Sequence, residues 1–136
     1  MPMDRYKQIE ITRYNLLANQ AIHFELPQKP YIVVLAIHNN NVTNDWRNQC
    51  SDWIVKSKLC YWALAWGHEC SIWDDALDYS YLEFCNYDLP EDDDYNFMTT
   101  WHENQNLEDV IEFAESIPVD TLPQQTLYEI VVLNIN

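Results

Sequence analysis

Seven consecutive residues, Tyr31-Ile-Val-Val-Leu-Ala-Ile37, constrain this chain most. The run is apolar at every position and rich in β-branched residues, has the length of a strand, and follows Pro27 and Pro30. A strand with one wet face alternates apolar and polar residues, so a run without alternation predicts burial on both faces. Such a strand needs cover from two sides, and the rest of the chain offers helices to supply it.

The stretch His38 to Asp45 carries turn and cap residues, and Trp46, Cys50, Trp53 and Ile54 then recur at helical spacing, predicting a helix over 43–57. Leu59 to Trp66 is a second apolar run, closed by Gly67, the one glycine of the chain. Ser71 with Asp74 has the spacing of a capping box, and Trp73, Leu77, Tyr81 and Phe84 form one stripe, predicting a helix over 72–85. Phe97 to Trp101 reads as a short strand. Asn106 with Asp109 reads as a further N-cap before the stripe Leu107, Val110, Ile111, Ala114 and Ile117, which Pro118 should end. Thr126 to Ile135 closes the chain as a last strand.

The order β-α-β-α-β-α-β with such apolar strands predicts an α/β fold: a mainly parallel sheet of four strands or slightly more, with helices on its faces. At 136 residues the chain suits a single domain over 1–136. The first 26 residues are the least determined, with Gln8 to Arg13 and Ala21 to Leu26 as candidate edge strands. The longest strongly apolar stretch, Leu59 to Trp66, is far short of the roughly 18–20 residues that span a bilayer, so no membrane is expected as a partner. The N-terminal MPMDRYKQIEITRY has no apolar core or small-residue cleavage site, and the expected location is the cytoplasm.

The formal net charge of −15 is distributed unevenly. All seven Lys and Arg residues lie at or before Lys58, whereas the 17 acidic residues from Glu69 onward have no basic residue among them. The densest acidic segment is Asp88-Leu-Pro-Glu91-Asp92-Asp93-Asp94, followed by Tyr95. Unpaired carboxylates at this density repel one another, and a basic partner would relieve that cost. Direct nucleic-acid binding is disfavoured, because it rests on cations that neutralise phosphates.

In open parallel sheets, ligands bind beyond the carboxyl ends of the strands. Three of the four histidines, His38, His68 and His102, fall there, as does Cys70. They come from separate loops without C-x2-C or H-x3-H spacing, so no metal is expected. A single glycine excludes the glycine-rich phosphate loops, so no nucleotide cofactor is expected either. A catalytic reading would use Cys70 as nucleophile at a helix start, with Asp74, Thr100, His102 and Glu103 around it. Against it, Glu69, Asp74 and Asp75 oppose a thiolate. The four cysteines, Cys50, Cys60, Cys70 and Cys85, read as reduced thiols packed as small hydrophobes.

The segment Ala65-Trp-Gly-His-Glu-Cys-Ser-Ile-Trp-Asp-Asp75 with Asp78, and the later Met98-Thr-Thr-Trp-His-Glu103, resemble a family of small bacterial proteins known only as a domain of unknown function. The resemblance spans roughly Tyr31 to Ile117 and implies a bacterial origin, with no activity or ligand attached.

The functional expectation is an acidic inhibitor or immunity-type protein that docks on a basic protein, such as a toxin or nuclease. Its contacts would be Asp88, Glu91, Asp92, Asp93, Asp94 and Tyr95, with Asp74, Asp75 and Asp78 as a second patch. The alternative is a small enzyme or ligand-binding domain using the Cys70, Asp74, Thr100, His102 and Glu103 constellation. Oligomeric state is not legible in the sequence.

Overall fold

The computed structural model describes residues 10–86, 97–121 and 129–136. The elements are β1 (Glu10–Leu16), β2 (Tyr31–Ile37), α1 (Asn44–Lys56), β3 (Cys60–Gly67), α2 (Cys70–Phe84), β4 (Met98–His102), α3 (Leu107–Thr121) and β5 (Glu129–Ile135). They form one five-stranded sheet in the order β1-β5-β2-β3-β4, and every pairing is parallel. The doubly buried run is the middle strand, β2, at which no residue is more than 1% exposed.

The pleat of β2 divides the core in two. Tyr31, Val33, Leu35 and Ile37 pack with Trp46, Cys50, Ile54, Trp73 and Leu77 under α1 and α2. Ile32, Val34 and Ala36 face the other way, with Val110, Ile111, Ala114 and Ile117 of α3 and with Ile130 and Val132 of β5. The fifth strand is β1 at the sheet edge, so the candidate strand at Gln8 to Arg13 is present over Glu10–Leu16, with Gln8 and Ile9 outside the described residues. Residues 21–26, the other candidate edge strand, run as an irregular connection, although Leu26 is buried.

Two helix boundaries depart from expectation. At α2 the Ser71 and Asp74 capping box does not form: the helix begins at Cys70, its N-cap is Glu69 in a left-handed conformation (φ 57°), and no side chain caps it. The turn from β3 is so tight that the helix starts before Ser71. At α3 the helix runs through Pro118 to Thr121 instead of stopping there. Pro118 lies in the last turn of α3, where the missing amide costs one helical bond and little helix follows to be disrupted. By contrast, Thr43 caps α1 as the turn residues suggested, its Oγ1 accepting the Trp46 amide at 3.2 Å.

The cysteines are free thiols: Cys50, Cys60 and Cys70 are buried and Cys85 is half-buried. Burial pushes the Cys50 thiol up to about 12 and raises Cys60 likewise. Both therefore stay protonated and behave as small apolar core groups. Among the described residues, no helix is long and apolar enough to cross a membrane.

Candidate functional site

The carboxyl ends of β3 and β4 lie side by side, since Trp66 pairs with His102 in the parallel register. The chain leaves β3 through Gly67 and reaches α2 in two residues, while beyond β4 it passes through Glu103 to Asn106 before α3. Between these two turns lies a cavity of about 440 Å³, lined by Trp66 to Ser71 on one side and His102 to Gln105 on the other. Its volume falls in the range of small-ligand sites.

Of the five residues in the catalytic constellation, the cavity gathers three: Cys70, His102 and Glu103. The pleat of β4 explains why the others stand apart. Thr99 pairs with Ala63 and faces α2, where its hydroxyl donates to Asp78 Oδ1 at 2.6 Å. Thr100 pairs with Leu64 and faces α3; its hydroxyl accepts the Trp62 indole N–H at 3.3 Å and lies 2.9 Å from His102 Nε2. Asp74 is on the α2 side, so Asp74 and Thr100 lie on opposite faces of the sheet.

Burial raises the Cys70 thiol and Glu103 adds to that, against the lowering effect of the nearby backbone N–H groups of His102, Cys70 and Ser71. Burial also pulls His102 below its ordinary 6.5, with the Gln105 side chain opposing. At neutral pH the Cys70 thiol is thus protonated and the His102 imidazole uncharged, its ring lying against Thr100 and Phe113 on the α3 side. His68 lies at the same rim and is exposed. His38 does not join it: its Nε2 lies 3.0 Å from Asn134 Oδ1 of β5, and its ring meets Trp66 edge-on. Among the described residues, no group of three or more His, Cys, Asp or Glu is placed to hold a metal ion.

Glu69 owes its position to a buried cation. Arg47 of α1 is 4% exposed, donates from Nη2 to Glu69 Oε1 at 3.1 Å and from Nη1 to Asn44 Oδ1 at 2.6 Å, and lies over the Trp73 ring. Sequence reasoning missed this pair, because 22 positions separate the two residues and no spacing links them.

Asp74, Asp75 and Asp78 are divided by the helical 100° step. Asp75 and Asp78 are exposed, whereas Asp74 is 6% exposed and its Oδ1 has no hydrogen-bond partner among the described residues. Asp74 therefore does not share the surface patch. Burial raises its carboxyl above the ordinary 3.8, with the Thr99 hydroxyl opposing and Asp78 and Asp75 reinforcing. A raised folded-state value means that ionised Asp74 opposes folding above that value, and that the penalty vanishes once both states are protonated. Asp74→Asn is expected to stabilise the protein at pH 7 by on the order of 1 kcal/mol. The gain should shrink as pH falls and vanish below 3.8, where both states are protonated. Urea unfolding of both proteins across that range checks it; a pH-independent difference would contradict the buried-charge account.

The segment with Asp88, Glu91, Asp92, Asp93, Asp94 and Tyr95 lies outside the described residues. What the described surface shows is acid on both sides of the edge strand β4. Asp75 and Asp78 are exposed on α2, Glu103 beyond β4, and Glu108, Asp109 and Glu112 on α3. Large apolar side chains stand out among them: Tyr79, Trp101 and Phe113 are 56%, 51% and 42% exposed. Among the described residues, the ion pairs are Lys29 with Glu10 and Glu129, and Arg47 with Glu69, so none involves those six carboxylates. The exposed cations Arg13, Lys56 and Lys58 belong to β1 and to the end of α1 and its following turn.

No curated protein and no solved structure matches the chain. A family described as a domain of unknown function, DUF7684, matches residues 12–136, and the chain belongs to that family.

Proposed function

From a family without a described activity, we propose that this member is an acidic binding protein of the inhibitor or immunity type, acting in the bacterial cytoplasm. It docks on a basic protein, such as a toxin or nuclease, and covers that protein's working surface. The observation that carries this reading is the edge around β4, where six exposed carboxylates on α2, α3 and the intervening turn have no cation partner among the described residues. Exposed Tyr79, Trp101 and Phe113 add the aromatic anchors that protein interfaces favour. Asp88 and Glu91 to Tyr95 extend the proposed contact on sequence alone.

The alternative, an enzyme or ligand-binding domain built on Cys70, Asp74, Thr100, His102 and Glu103, has less support. The sheet separates Asp74 from Thr100, and a thiol raised by burial is a poor nucleophile.

Affinity capture of the tagged protein from its native host, loaded at low salt and eluted with a salt gradient, tests the proposal. The expected result is one basic protein retained at low ionic strength and released as ions screen the contact. Recovery of a small molecule or metal with a monomeric protein, and no protein partner, would move the reading to the alternative.

A further inference from the structure

The cavity between the ends of β3 and β4 opens on the same edge as the acidic face, and its lining has a definite chemical preference. A helix N-terminus ordinarily offers free amides to an anion. Here Glu69 and Glu103 line the same cavity, and their carboxylates repel an incoming anion. The rim is acceptor-rich. Glu103 is exposed and has no cation partner among the described residues; Glu69 spends one oxygen, Oε1, on Arg47. Trp66 supplies an aromatic wall, its indole N–H tied to the Gln105 carbonyl at 2.7 Å. No Lys or Arg lines the cavity, and Arg47 behind Glu69 is buried.

We propose that this cavity receives an arginine side chain of the basic partner, with the guanidinium meeting the Glu103 carboxylate and lying against Trp66. Charge complementarity favours a cation over an anion, and the planar guanidinium suits both a carboxylate and an aromatic wall better than a compact ammonium does. The inference rests on the acidic docking surface proposed above and assigns its anchoring pocket.

The test is a titration of the isotope-labelled full chain with the peptide acetyl-Gly-Arg-Gly-Arg-Gly-amide at low salt, followed by amide resonances in NMR. Shifts concentrated at Gly67, Ser71, Glu103 and Gln105 are expected, absent with the citrulline version of the peptide. Glu103→Gln should weaken binding about fivefold or more, whereas Glu25→Gln, exposed in the connection between β1 and β2, should change it little. Shifts spread evenly over α2 and α3, with the two variants equivalent, would overturn the pocket and leave the acidic surface standing. No shift with the arginine peptide at any salt would overturn both.

Discussion

Gly67→Ala is expected to lower the unfolding free energy by about 3 kcal/mol, among the largest effects of any single-methyl change in this protein. Gly67 ends β3 with φ at +100°, a region that residues with a Cβ rarely adopt. A Cβ at that position would sit against the carbonyl oxygen of Ile37. That oxygen cannot withdraw freely, because it accepts the amide of His68 at 3.0 Å and belongs to the buried central strand. The methyl must therefore push β3 from β2 or twist the turn that launches α2. Thermal unfolding should fall by roughly 10 °C for a domain of this size, while Ser116→Ala on the exposed face of α3 serves as the inert control. A loss under about 0.5 kcal/mol would show that the turn is looser than its geometry implies. Because Gly67 to Ser71 form one wall of the cavity, the same substitution should also reduce binding of the arginine peptide, even where the protein stays folded.

Much of this architecture was legible in the sequence, for a physical reason. The strands β2 and β3 and the helices α1 and α2 are strongly apolar along one face or both, and burial imposes a period that survives in the residues. Tyr31 to Ile37 announced a doubly covered strand because nothing polar interrupts it. Boundaries were less legible where backbone conformation decides them. Glu69 caps α2 with its own left-handed backbone, which no cap-residue preference would suggest, and α3 carries Pro118 within it. Candidate site residues were legible as a place, the strand ends, but not as a constellation. Thr99 and Thr100 are adjacent in sequence, yet they serve opposite faces; choosing between them requires the strand's register. The Arg47 and Glu69 pair left no local trace, since it joins two helix starts that only the fold brings together.

Neutralising Asp75, Asp78, Glu108 and Glu112 together, as Asn and Gln, is expected to slow association with the captured partner about tenfold or more at low ionic strength. All four are exposed and have no ion pair among the described residues, so their removal should leave folding intact or slightly improved as repulsion is relieved. Their field reaches a basic surface before contact, and it acts on the encounter rate more than on the lifetime of the complex. Ions shorten that reach to about 8 Å near 0.15 M, so wild type and variant should converge as salt rises. Trp101→Ala should do the reverse. It removes a half-exposed indole from the edge strand without changing charge, and so should speed dissociation while the association rate holds. Stopped-flow association and a dissociation chase across a salt series separate the two effects. An association rate that is unchanged in the fourfold variant at low salt would mean that the carboxylates around β4 serve solubility alone, and the contact would then have to be sought on another face.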